Sequence, residues 1–196
     1  MKAAGAAGQV LVWPLWLRLM HGLLAVAVVV SFITHEGGGV WHERWGWLAV
    51  GLATVRLGLG LGPGLGGSRH LKPGDHRHTA LLACLRGPRA VAAYARALLR
   101  GRAPRHLGHN PLGGWMMLLL LANVLLCSFS GWLFTTDRYW GVAWVEELHG
   151  LLGHAFIPLV LLHVVGAVVA SVKQRENLVA SMVHGRKRAP GPEDVA

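Results

Sequence analysis

Residues 148–172 read LHGLLGHAFIPLVLLHVVGAVVASV, an apolar run long enough to cross a bilayer as one helix. It carries His149 and His163. Imidazole inside hydrocarbon is costly, and such a residue marks a functional site by default. At 100° per residue, fourteen positions bring the two rings within about 40° of each other on the helix surface, about 21 Å apart along the axis. One helix therefore offers two ligands on one face, near opposite sides of a membrane. That arrangement suits a protein holding two metal centres stacked across a bilayer.

Composition agrees with a membrane setting. The chain of 196 residues is 53% hydrophobic and 14% charged, where a soluble domain carries about a quarter charged residues. Four spans are predicted, at about residues 14–34, 44–61, 112–134 and 148–172. The second is short and Gly-rich, with Arg56 near its end placed to snorkel to the interface. Arg18 and His21 interrupt the first apolar run and no small-residue cleavage site follows it, so it reads as an uncleaved span. The expected fold is an all-α integral membrane protein, a bundle of four transmembrane helices. Its one domain covers residues 1–185, and a disordered tail covers 186–196.

Net charge is +10, yet nucleic acid is not the expected partner. Most Lys and Arg lie between Arg69 and Arg105 and between Lys173 and Arg188, the flanks that the positive-inside rule keeps cytoplasmic. The connections around residues 35–44 and 135–147 are short and nearly neutral or acidic. Both termini are then cytoplasmic. Trp41, Trp45, Trp47, Trp140 and Trp144 form an aromatic belt at the outer interface, and Trp13, Trp16 and Trp115 mark the inner one. Residues 87–102 (GPRAVAAYARALLRGR) read as a short amphipathic helix, either in the interface with Ala92, Leu98 and Leu99 on apolar surface and Arg89, Arg96 and Arg100 toward lipid phosphates, or solvated in the cytoplasm.

Two cysteines, Cys84 in the basic loop and Cys127 in a span, are not expected to form a disulfide. No CxxCH is present, which excludes a standard covalent c-type haem attachment. Of twelve histidines, His70, His76, His78, His106, His109 and His184 fall in cytoplasmic segments and read as solvated. The remaining six lie in or beside spans. His21 and His163 share an inner depth, and His42 and His149 an outer one. Each level thus offers two imidazoles, which suits the axial positions of haem iron. Zinc would need four protein ligands, or three and water. His35 competes with His42 as the outer ligand. His154 lies about 140° from His149 and 180° from His163 on the helix and reads as a packing or lumen-facing residue.

Taken together these residues resemble the bacterial cytochrome b561 family, which includes the cytochrome b subunits of nickel–iron hydrogenases. The resemblance rests on VWPLWLRLMHGLL, HERWGWLAVGLATVRLGLG, GPRAVAAYARALLRG, LGHNPLGG, LHGLLGHAFIPLVLLHVVG and ENLVASMVHGRKR, and covers nearly the whole chain. Leu15 follows Trp13-Pro14 where the family usually has an acid.

The resemblance implies two non-covalent, bis-histidine haems b. His21 and His163 would serve the cytoplasmic-side haem, and His42 and His149 the periplasmic-side haem. His109 and Asn110 are candidates for capping the third span, bonding a haem propionate or lining a quinone pocket.

The implied function is electron transfer across or within the bacterial inner membrane, between quinone and a periplasmic c-type cytochrome or reductase, with membrane lipid as the surrounding partner. One alternative is the membrane-anchor cytochrome b subunit of a larger oxidoreductase such as hydrogenase. Another, of a different class, is a haem-free transporter or proton-conducting bundle.

Overall fold

The computed structural model describes residues 8–37, 39–65 and 86–195. His70, His76, His78 and Cys84 lie outside the described residues. In chain order the elements are β1 (Gln9–Leu11), α1 (Leu15–Ile33), α2 (Val40–Leu65), α3 (Pro88–Leu99), α4 (Pro111–Phe134), α5 (Ala143–Gln174), α6 (Leu178–His184) and β2 (Arg186–Arg188). Among the described residues three helices, α1, α4 and α5, are long and apolar enough to cross a membrane. Their apolar side chains stay largely exposed, Leu151, Leu161 and Val172 among them, as helices solvated by lipid require. The 26-residue α2 is as long, but it carries Glu43, Arg44 and Arg56.

The chain forms two compact units, one of residues 1–18, 60–115 and 163–196, the other of residues 19–59 and 116–162. In the first, β1 and β2 pair antiparallel, with Val10 opposite Lys187. Gly185 makes this possible. It ends α6 at φ +82°, and its carbonyl accepts from the amides of Val12 (2.9 Å) and Trp13 (3.0 Å). A Cβ there would lie 2.6 Å from the Trp13 carbonyl oxygen, so only glycine fits. The Arg18 guanidinium donates to the Val183 carbonyl at the end of α6, where helix carbonyls lack partners.

Residues 186–195 carry β2 and a short turn held against Arg105. The Arg105 fork donates to Glu176 at 3.0 and 3.1 Å, to the Arg188 carbonyl at 2.7 Å, and to Asp194. The Asp194 carboxyl is held below the usual aspartate range by the Gly191 amide and then by Arg105. The Val195 amide donates to the Arg105 carbonyl (2.8 Å), and the Leu107 amide to the Val195 carbonyl (3.0 Å). Lys187 is buried, with its Nζ 2.8 Å from the Leu107 carbonyl and 5.3 Å from the Trp13 ring centre. Burial lowers its pKa to about 8, against Glu176, which raises it.

The amphipathic α3 turns Tyr94 inward and leaves part of its apolar face outward. Tyr94 is buried, packed edge-on against His106 at 5.2 Å, while Ala92 and Leu99 are exposed. Pro88 at the first turn starts the helix, and Gly101 at φ +69° follows its end.

In the second unit small residues sit deepest. Ala27 and Ala53 are fully buried, and small side chains let helix backbones approach closely. Asn123 on α4 donates to the Leu152 carbonyl on α5 at 3.0 Å. Arg56 does not snorkel. It is buried, with its guanidinium 3.6 Å from Met117 Sδ.

Candidate functional site

The second unit encloses a cavity of about 620 Å³ walled by α1, α2, α4 and α5. Its size lies within the range of ligand and cofactor pockets, about 300–1,000 Å³. His42 from α2 and His149 from α5 both line it. Their ring centres are 5.8 Å apart and the rings stand at 89°.

Each of the two imidazoles is fixed by a backbone carbonyl. His42 Nδ1 lies 2.8 Å from the carbonyl oxygen of Ser31 on α1. His149 Nδ1 lies 3.0 Å from that of Cys127 on α4. A carbonyl only accepts, so the ring proton sits on Nδ1 and the Nε2 lone pair is left for a ligand. Metal-binding histidines are held in this way, the outer hydrogen bond setting both tautomer and orientation. Ser130 is almost fully buried and steadies the second anchor, its hydroxyl donating to the Cys127 carbonyl at 2.8 Å.

Gly131 makes room for the His149 ring. A Cβ at 131 would come within 2.8 Å of His149 Cε1. Gly46, Gly150 and Gly153 also line the cavity, leaving parts of its wall without side chains. Among the described residues no group of three or more His, Cys, Asp or Glu is placed to hold a metal. Two imidazoles without a third donor do not complete a zinc site, but they do fill the two axial positions of a haem, whose other four ligands are its own. The glycine-lined space, the ring separation and the donor set all fit that group.

A family model for the prokaryotic cytochrome b561 matches residues 12–185. The chain belongs to the prokaryotic cytochrome b561 family. It is thus a membrane b-type cytochrome, in a family whose members bind haem b and carry electrons. No curated protein and no solved structure matches the chain.

Within this cytochrome the other sequence-predicted residues are placed as follows. His21 lies on α1 in the second unit, and His163 on α5 in the first. Asn110 caps α4, its Oδ1 accepting from the Gly113 amide at 2.8 Å. His109 packs edge-on against buried Trp13 with ring centres 5.0 Å apart.

His35 and His154 are brought together in the same cavity as His42 and His149, their ring centres 6.2 Å apart. The 140° offset of His154 from His149 on the helix had set it apart. The cavity reaches around α5, so both faces line it. Sequence reasoning missed Ser31, Cys127, Ser130 and Gly131 as parts of the site. The run Cys127-Ser128-Phe129-Ser130-Gly131, small and polar within an otherwise apolar helix, was the available signal.

Proposed function

We propose that this cytochrome is a diheme electron carrier of the bacterial inner membrane, passing electrons between quinone and a periplasmic redox partner, a c-type cytochrome or reductase. The observation that carries the reading is the His42–His149 pair, with both Nδ1 protons given to carbonyls and both Nε2 atoms left to bind iron.

In this reading His42 and His149 hold the outer haem. Haem, when bound, supplies a one-electron iron couple whose potential is tuned by axial ligands and surroundings. The Ser31 and Cys127 carbonyls orient the two rings and fix the tautomer that leaves Nε2 for the iron. Val28, Ala49 and Val124 line the cavity with apolar surface and keep water from the ring faces. His21 and His163 hold the inner haem, supported by the fourteen-residue spacing on α5 and by the family.

Parity supports four crossings. Strands β1 and β2 pair, which supports an even number of crossings between residues 11 and 186. The helices α1, α4 and α5 supply three, and α2 supplies the fourth. The basic segments around residues 86–105 and 173–188 support placing the β1–β2 side of the chain in the cytoplasm. Exposed apolar faces of the spanning helices suit exchange with a quinone dissolved in lipid.

The test is haem content and a reduced-minus-oxidised spectrum of detergent-purified protein. Two haems b per chain with low-spin bis-imidazole bands are expected. Colourless protein from cells supplied with haem would overturn the reading.

A further inference from the structure

The outer cavity contains two imidazoles more than a single haem iron can use. His35 lies just past the end of α1, and His154 is on α5. His35 Nδ1 is 2.5 Å from the Phe32 carbonyl oxygen, and His154 Nδ1 is 2.7 Å from that of Gly150. Both rings therefore keep their proton on Nδ1 and present Nε2 as an open acceptor. Phe32 lies stacked on His35 at 5.3 Å and edge-on to His154 at 6.2 Å.

Haem b brings two carboxylates into whatever cavity receives it. Carboxylates in a largely apolar cavity need cations or hydrogen-bond donors. Among the described residues lining this cavity there is no Arg or Lys. The other titratable groups that face it are His42 and Glu43 from α2, Cys127 from α4, and Glu146 and His149 from α5. Two of these are spoken for by iron, and the glutamates would repel an anion. Only His35 and His154 are left to supply positive charge.

We propose that His35 and His154 face the carboxylates of the outer haem and share one proton on Nε2 between them in the oxidised protein, as one imidazolium–carboxylate pair, the second Nε2 staying open until the haem is reduced. The proposal rests on the haem reading above. An imidazolium has two N–H groups to satisfy. The carbonyls of Phe32 and Gly150 already accept one from each ring, and a carboxylate would accept the other.

With haem bound, the electron gained on reduction would favour a second proton, taken from solvent onto the Nε2 still open in this pair. The balance is one electron from the donor and one proton from water, with nothing released. Electron entry at the outer haem is thereby coupled to proton uptake.

The test compares the unsubstituted holoprotein with His35→Gln, His154→Gln and the double variant. Haem content is measured first, then the midpoint potential of the outer haem between pH 5.5 and 8.5. All variants should retain haem. In the unsubstituted protein the equilibrium constant for reduction should fall up to tenfold per pH unit over part of the range, or about 59 mV per unit for one electron. The double variant should lose that slope. Unsubstituted protein reconstituted with the dimethyl ester of haem b, which lacks the carboxylates, should lose it too.

A slope that survives in the double variant, or a flat potential in the haem-loaded unsubstituted protein, would overturn the proposal alone. Loss of a haem in either single variant would do so as well, by making that ring an iron ligand. A haem-free unsubstituted protein would overturn the haem reading itself.

Discussion

The His149 ring lies against Gly131, close enough that a single methyl group at 131 would reach within 2.8 Å of Cε1. The same ring gives its Nδ1 proton to the Cys127 carbonyl one helical turn earlier on α4. One turn of α4, from Cys127 to Gly131, thus both anchors and makes room for one imidazole from α5.

Gly131→Ala should therefore displace His149 without removing it. The expected result is a lowered content of the outer haem, or a shift of its band from low to high spin. Haem content per chain and the absorption spectrum check this. A fully loaded low-spin spectrum would show that the ring can sit elsewhere.

His42→Ala and His149→Ala should each remove one haem per chain and leave the other. Pyridine haemochrome titration counts them. Two haems retained in both variants would refute the assignment of this pair, and a second round on His35 and His154 would then locate the ligands.

Asn110→Ala should lower stability by about 1 kcal/mol, the usual loss for a helix N-cap, with both haems retained. Its side chain is committed to the Gly113 amide at the start of α4. Thermal unfolding in detergent, followed at the haem band and by helical signal, separates the two outcomes. Loss of a haem would instead make Asn110 part of a cofactor site.

Lys187 gives a pH signature of the opposite sense to a surface lysine. Burial lowers its pKa from 10.5 to about 8, so between those values the unfolded chain binds more protons than the folded one. Stability then rises with pH across that window, by up to about 3 kcal/mol at about 1.4 kcal/mol per unit. Tyr94, whose hydroxyl burial keeps protonated above its ordinary value of 10, opposes this only at the upper end. Unfolding measured from pH 7.5 to 10 should show the rise in the unsubstituted protein and lose it in Lys187→Met.

Arg105→Ala should be among the more damaging changes outside the membrane segments. It leaves Glu176 without the guanidinium that it meets at 2.9 Å, both side chains being mostly buried. Removing one partner of such a pair destabilises by about 3–5 kcal/mol. Limited proteolysis of residues 186–195 is the direct readout. Unchanged resistance would show that the β1–β2 pairing suffices to hold the tail.

The membrane class, three spanning helices, the family and the histidines worth testing were all legible in the chain, because apolar length and the 100° step of a helix are local properties. Asn110 as a cap was legible for the same reason. What the chain order hid was every relation between distant segments. The Ser31 and Cys127 carbonyls that set the ring tautomers, the space at Gly131 and the meeting of His35 with His154 depend on which helices stand together. The charges of the tail are visible in sequence and their partners are not. Arg105, more than seventy residues from Glu176 and Asp194, neutralises both and holds the tail in place. Side-chain chemistry nominated the candidates, and tertiary contacts between remote positions decided their orientation and pairing.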